Sequence, residues 1–565
     1  MRRLRSFLPM VLMASSVMLV ACSDDDEDPI APPPPEPPAA PSGVSATSAG
    51  PTSVTVTFSA VTGATGYVVE RAPGSGGTFA SVGTPSAPPF TDTGLQPQTA
   101  YRYRVAARNA VGQGDFSDAV IVTTGQEGPR TATISANITS DRTLYADTLY
   151  TLEGFIRVAN GATLTIEAGT TIEGDFDTLG SSLFILRGAR IVAEGTASEP
   201  IVFTSSRPEG QRQAGDWGGL VIVGNGIINR GQPVILEGSD TGANNPAVDY
   251  SGGTDNADDS GVLRYVRVEF AGFATAPDAE LNTFTFAAVG SGTEVEYLQG
   301  LVGLDDTFEF FGGAMDGKYL ISYEAGDDHF DMSEGYIGRL QYVIAHQSRQ
   351  IIPRPAAGNP SSDPQGIEND GCDGANCLNG QTSEPFNIPM VANFTLVGPP
   401  TGVFSGTSGG IGMMLRRGTG GYYVNGVVAR WERAAMSLRD QTTLDRIAAG
   451  DLALSNILVA QTGPTFQPQT GSTVQGSVDL AANNIEEATG TAASLFTSLV
   501  TPPTAVGQLD WTPAAGSPIA TGGLEAFTGA IATKAGTFVT PTAFRGAADP
   551  AGAKWWENWT NYADN

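Results

Sequence analysis

The chain has 565 residues, enough for several domains and a large core, with 41% hydrophobic and only 16% charged residues. Its 71 glycines and 37 prolines, with long Val/Ile/Thr stretches, point to an all-β protein with many turns. Acidic side chains outnumber basic ones 59 to 30, a formal charge of −29, which excludes nucleic acid as a natural partner and favours cations and basic ligands.

The N-terminus reads as an export signal. Arg2, Arg3 and Arg5 precede a short apolar run from Phe7 to Val20. Leu19-Val20-Ala21-Cys22 follows and resembles the lipobox of bacterial lipoproteins. That resemblance implies residues 1–22 as the signal, with Cys22 acylated and holding the chain to a membrane through several acyl chains. The following Ser23-Asp24-Asp25-Asp26-Glu27-Asp28 resembles the acidic surface-export signal of some outer-membrane lipoproteins; a solvated spacer is the plainer reading. Residues 23–41 therefore form an acidic and proline-rich linker, whose run from Pro29 to Pro41 is a semi-rigid stalk. No other stretch is apolar enough to span a bilayer.

Residues 42–125 read as about seven short strands. Val54–Phe58, Tyr67–Arg71 and Tyr101–Val105 alternate apolar and polar positions. Leu95-Gln-Pro-Gln-Thr-Ala-Tyr101 resembles the tyrosine corner of fibronectin type III domains, and Asn109-Ala-Val-Gly-Gln-Gly suits that family's last hairpin. Phe58 stands where the family usually has a core Trp. The family's usual roles are spacing and protein or glycan contact.

From about 131 to 565 no amphipathic helix stands out. Gly161–Ile172, Leu183–Thr204 and Gly215–Val223 are short apolar strands broken by Gly turns, and they resemble the early coils of a right-handed parallel β-helix. Further on the repeat is measurable. Asp305-Asp306-Thr-Phe308-Glu309 recurs as Asp327-Asp328-His-Phe330-Asp331, Gly313 as Gly335, and Tyr297 as Tyr319, each 22 residues later, about one coil. Leu340-Gln-Tyr-Val-Ile opens the next coil; Leu263–Phe270, Asn393–Val397 and Asn456–Val459 look like further strands. Equivalent residues of successive coils should stack ~4.8 Å apart, so Phe308 should lie on Phe330 inside, and the acidic pairs should stack in a turn or on an outer face. Asp216-Trp-Gly-Gly219, Ser260–Phe270, Phe308–Gly313 and Gly326–Asp331 together resemble one group of bacterial outer-membrane β-helix lipoproteins. That group lacks a settled activity, so the resemblance implies fold and location only.

Chemistry concentrates in residues 249–334, where eighteen Asp and Glu face Arg264, Arg267 and Lys318 alone. Stacking Asp305, Asp306 and Glu309 on Asp327, Asp328 and Asp331 gathers like charges, which require solvent or a cation. Two readings stay open: a Ca²⁺ site, or a solvated ridge whose Asp side chains cap turns. Asp255–Gly261 is a weaker candidate loop without EF-hand spacing.

Cys372 and Cys377 suit a small disulfide in an oxidising compartment; a metal half-site would need more than His329 and His346. His329 reads as a turn residue and His346 as a strand-face residue. Tyr422, Tyr423, Trp431 and the terminal Trp555, Trp556 and Trp559 are candidates for stacking on sugars, the terminal cluster serving rather as a cap on the open end of the solenoid. The expected function is a non-catalytic, lipid-anchored surface protein for binding or adhesion, with a glycan, a protein or neighbouring cells as its ligand. The alternative is a polysaccharide lyase or glycosidase on the same scaffold, with Lys318 or Arg339 as a lyase's basic residue.

Overall fold

The computed structural model describes residues 36–125, 130–277, 279–374, 376–404 and 408–562. Cys22 and the acidic tract behind it lie outside the described residues. Two compact units divide near residues 128 and 129.

The first unit is a β-sandwich. Ser45–Gly50, Ser53–Thr57 and Phe90–Thr93 form one antiparallel sheet; Ala80–Gly83, Gly66–Pro73, Ala100–Arg108 and Gln113–Phe116 form the other, with Val120–Thr123 on its central strand. The inward set of the alternating strands, Val54, Val56, Phe58, Tyr67, Val69, Tyr103 and Val105, makes the core. Phe58 fills the expected Trp position by packing on Tyr67, ring centroids 4.7 Å apart. The tyrosine corner closes where Gln96 N–H donates to the Tyr101 hydroxyl at 3.0 Å.

The second unit is a parallel β-helix. Its coils feed a 17-stranded and a 10-stranded sheet. Early coils give the larger sheet two short strands each, such as Thr163–Ile166 with Thr171–Gly174. In the middle these fuse into single long strands: Gly261–Glu269, Glu294–Leu301, Asp316–Tyr323, Arg339–His346 and Met390–Val397. Each fused strand bends at one left-handed residue: Tyr265, Tyr297, Tyr319, Tyr342 and Asn393, with φ between 50° and 62°. The position continues as Asn425, Asn456 and Asn484. The four tyrosines stack at 4.3, 4.4 and 5.1 Å. Tyr319 meets Tyr342, because Leu320 pairs with Val343, so this coil is one residue longer than the 22-residue repeat.

Inside, the register follows the 22-residue repeat from Phe308 to Phe330, while Phe284 pairs with Phe308 at an offset of 24. Phe284, Phe308 and Phe330 stack at 5.0 and 5.1 Å on adjacent strands of the smaller sheet. Buried aromatic stacks of this kind add to the area they remove from water.

The C-terminal segment departs from expectation. Trp555 and Trp559 do not close an end of the coil; they lie on its flank, Trp559 against Tyr265 (5.7 Å) and Tyr297 (6.1 Å), Trp555 against Tyr319 (5.1 Å). Residues 522–562 run back over the whole tyrosine–asparagine ladder. Asn456 donates to Gly522 O, Asn393 to Thr542 Oγ1, and Gln299 exchanges two bonds with Asn561. An asparagine amide reaches the strap's backbone; a tyrosine ring offers it a flat apolar surface. Two short helices also occur, Gln441–Ala449 and Gly529–Ala535. Both are too brief for an apolar period to show in sequence.

Candidate functional site

The acidic pairs sit in the turns that carry the chain from the larger sheet to the smaller, after Leu301 and after Tyr323. The two members of each pair do different work. Asp306 Oδ1 accepts the Asp328 N–H one coil on (2.7 Å), and Asp328 Oδ1 accepts the Gln365 N–H (2.5 Å). The same role is filled before them by Asn282, which accepts the Asp306 N–H, and after them by Gln365, which accepts the Ile411 N–H. The second Asp of each pair therefore caps a turn, the role that the solvated-ridge reading gave to these side chains. Gly326 lets the second turn form, since a Cβ there would lie 1.8 Å from Leu304 O.

The remaining carboxylates do not form a solvated ridge. Glu309, Asp331 and Glu368 occupy one register position on the outer face of the smaller sheet. Three insertions rise beside that face and convert it into a cleft of about 810 Å³. They bring Glu237, Glu280 and the Asn359–Ser362 segment to the walls. Seven carboxylates line the cleft (Glu237, Glu280, Asp305, Asp306, Glu309, Asp327 and Asp331) and none of its described lining residues is Lys, Arg or His.

All six carboxylates singled out from sequence are brought together. Ligand atoms of Asp305, Asp306 and Asp327 lie within 4.8 Å of one another, as do those of Asp306, Glu309 and Asp331, and those of Asp328, Asp331 and Glu368. Glu309 is only 4% exposed, yet its Oε1 has no hydrogen-bond partner; Asp327 Oδ1 and Asp331 Oδ1 are likewise without one. Burial, reinforced by neighbouring carboxylates, pushes Asp305, Asp306, Glu309, Asp328 and Asp331 well above the usual carboxylate range. Burial lifts Asp327 to about 6, tempered by a Ser361 hydrogen bond, and burial beside Glu280 lifts Glu237 to about 7.

One end of the column is already neutralised. Arg416 bonds to Glu368, and to Asp370 at 2.8 Å; Arg417 bonds to Asp370 as well. Other buried carboxylates nearby are also served: Glu334 by Arg230 (2.6 Å) and Tyr250, and Glu324 by Ser348 and Tyr562.

Several expectations are corrected. Lys318 and Arg339 do not reach the cleft: both lie under Phe538 of the C-terminal segment, and Arg339 is paired with Asp316. Tyr422, Tyr423 and Trp431 are buried and offer no sugar-stacking surface. Within Asp255–Gly261, Asp255 accepts the Ala257 N–H and Asp259 the Gly261 N–H within the loop, while Asn256 accepts the Ile227 N–H and Asp258 the Asn225 N–H of a neighbouring segment. His329 closes its turn inside the coil, on Ser322 at 2.6 Å, and burial lowers it to about 3. His346 is buried at the end of its strand, both ring nitrogens without hydrogen-bond partners. Cys372 and Cys377 are joined, with Cα atoms 5.8 Å apart. Glu237, Glu280, Ser361 and Glu368 were not singled out from sequence; they come from insertions or from a coil whose spacing breaks the 22-residue period.

Residues 39–123 match the fibronectin type III family, and residues 136–501 match the family described as pectate-lyase-like β-helix domains. None of the curated proteins matches the chain. Among solved structures, a fibronectin-like protein from Clostridium thermocellum is 30% identical over 16% of this chain and 96% of its own, with a TM-score of 0.15. The FN5 domain of Drosophila Lar is 32% identical over 16% of this chain and 99% of its own, also with a TM-score of 0.15. No helix among the described residues is long and apolar enough to cross a membrane, which says nothing of strands. With most of its length matched, the chain belongs to the pectate-lyase-like β-helix family.

Proposed function

We propose that this is a lipid-anchored surface protein of an outer membrane that binds an acidic glycan through Ca²⁺ held in the carboxylate cleft. The observation that carries the reading is the cleft itself: among its described lining residues are seven carboxylates and no base, and a buried Glu309 oxygen lacks a hydrogen-bond partner. Two ionised carboxylates at 4.8 Å repel by on the order of 3 kcal/mol at an effective dielectric near ~20. Protons or a cation must relieve that cost. Ca²⁺ takes about six to eight oxygens and suits an extracellular setting. Ligands beyond the carboxylates come from serine and asparagine oxygens on the wall, water, or a uronate carboxylate of the bound glycan. The family's description makes an acidic polysaccharide the first class to test. The lipobox reading at Cys22 supports the anchor, and the fibronectin-type module suits a spacer.

An enzymatic reading has one observation in its favour. Glu237 near 7 and Asp327 near 6 are carboxyls able to hold a proton near neutrality, as a glycosidase's acid must. The two readings separate in one experiment: the purified protein is screened on acidic and neutral polysaccharides, with Ca²⁺ or chelator, for binding and for released product. Ca²⁺-dependent binding to acidic polymers without product supports the binding protein. Released oligosaccharides establish the enzyme, and binding indifferent to chelator removes Ca²⁺ from the reading. For the anchor, Cys22→Ala should release the protein from the membrane fraction; retention after a high-salt wash would refute it.

A further inference from the structure

We infer that the cleft is a two-ion centre: one divalent cation on Asp305, Asp306 and Asp327, a second on Asp306, Glu309 and Asp331, with Asp306 bridging. The inference rests on the Ca²⁺ reading above and adds its stoichiometry and ligand assignment.

Three groups of carboxylates have ligand atoms within 4.8 Å, and they share members: Asp306 belongs to the first and second, Asp331 to the second and third. Charge separates them. The third group includes Glu368, which Arg416 already holds, so that group has its cation built into the fold. Arg416 acts on Asp327 and Asp331 only from a distance, and no described lining residue is basic in the first two groups. Each contains an oxygen that lacks a hydrogen bond, Asp327 Oδ1 in the first, Glu309 Oε1 and Asp331 Oδ1 in the second. Glu309 is 4% exposed and lines the cleft, so a buried carboxyl oxygen faces a space without a described protein donor. A single divalent ion in either group leaves the other group's orphan oxygens uncompensated. Two ions bring four positive charges to the five carboxylates of these two groups, and Glu237 and Glu280 are the other described acids of the lining.

The coil explains the pairing. Glu309 and Asp331 are register partners on adjacent strands, and Asp305 and Asp327 are equivalent positions one coil apart. Each ion would sit between two rungs, clamping neighbouring coils. The ligand set is all oxygen, without His or Cys, so it suits Ca²⁺ or another hard divalent ion over zinc or copper.

Asp306 is the informative residue, because Asn282 accepts the equivalent N–H in the preceding coil. Asp306→Asn thus keeps the turn cap and removes only the charge. The test uses the detergent-solubilised full chain, stripped with chelator and titrated with Ca²⁺ alone, read by native mass spectrometry and calorimetry. Two ions should bind the parent protein, one each should bind Asp305→Asn and Glu309→Gln, and Asp306→Asn should weaken both at least tenfold with an unchanged far-ultraviolet spectrum. Saturation of the parent at one ion overturns the two-ion centre and leaves the Ca²⁺ reading standing. Loss of both ions in Asp305→Asn or in Glu309→Gln, with the spectrum intact, overturns the assignment of separate groups. Absence of any Ca²⁺ uptake overturns this inference together with the Ca²⁺ reading.

Discussion

Two ladders run along the same coils and treat the 22-residue repeat in opposite ways. At the bend of the larger sheet, Tyr265, Tyr297, Tyr319 and Tyr342 stack face to face and continue as asparagines. Each stands at a left-handed backbone position that costs an L-residue about 1–2 kcal/mol. Stacking and the C-terminal strap offset that cost: rings meet Trp555 and Trp559, and amides meet strap carbonyls. In the cleft, the repeated side chains carry like charges, and repetition accumulates repulsion instead of contact. There the fold supplies a cation, Arg416, at one end only. A solenoid stacks whatever it repeats. Aromatic and amide side chains gain by it, whereas carboxylates become a site that needs a counter-charge.

The largest effect is expected where the first ladder is stripped of its cover. Trp559→Ala removes a fully buried indole that touches Tyr265 and Tyr297, and should cost about 3–5 kcal/mol in denaturant unfolding. A loss below about 1 kcal/mol would mean that the strap does not support the bend.

The acidic ladder should respond to cations and pH, the aromatic one to neither. At a hundredfold excess over its Kd, one bound Ca²⁺ stabilises by about 2.7 kcal/mol. Because burial raises the folded-state values, the unfolded chain ionises first as pH climbs above about 4. Chelated protein should then lose stability as pH passes through about 6 for Asp327 and about 7 for Glu237. Millimolar Ca²⁺ should raise the melting temperature most at the upper end of this window, and Asp305→Asn with Asp327→Asn should blunt the rise. A chelated melting temperature that does not fall between pH 5 and pH 8 would contradict the burial argument.

The asparagine half of the first ladder offers a finer probe. Asn456→Ala loses the bond to Gly522 O and places Ala at φ 56°, and should cost about 2–3 kcal/mol. Asn456→Gly removes the same bond without the backbone strain and should cost less. Equal losses in thermal melts would mean that the strain carries no weight.

The smallest effect belongs to a feature outside both ladders. Replacing Cys372 and Cys377 with Ser opens a bridge between residues only five apart in sequence and should cost no more than about 2 kcal/mol. The parent thiols should resist labelling until reduced.

Sequence by itself determined what repeats locally. Alternation at Val54–Phe58 and Tyr101–Val105 was enough for the sandwich, and the 22-residue offset placed Phe308 on Phe330 and Tyr297 on Tyr319, because a coil's neighbour is one period away in the chain. The same offset gathered the six carboxylates singled out from sequence, five of which line the cleft. Only the tertiary structure decided what each of them does. Asp306 and Asp328 turn inward to cap the next coil's N–H, a choice set by backbone geometry that Asp305 and Asp327 share in residue type but not in position. Glu237 and Glu280 arrive on insertions that carry no period, so nothing in their local sequence ties them to Asp305. Trp559 reaches Tyr265 across almost 300 residues, and whether a terminal aromatic cluster covers an end or a flank depends on which apolar surface the finished coil leaves uncovered.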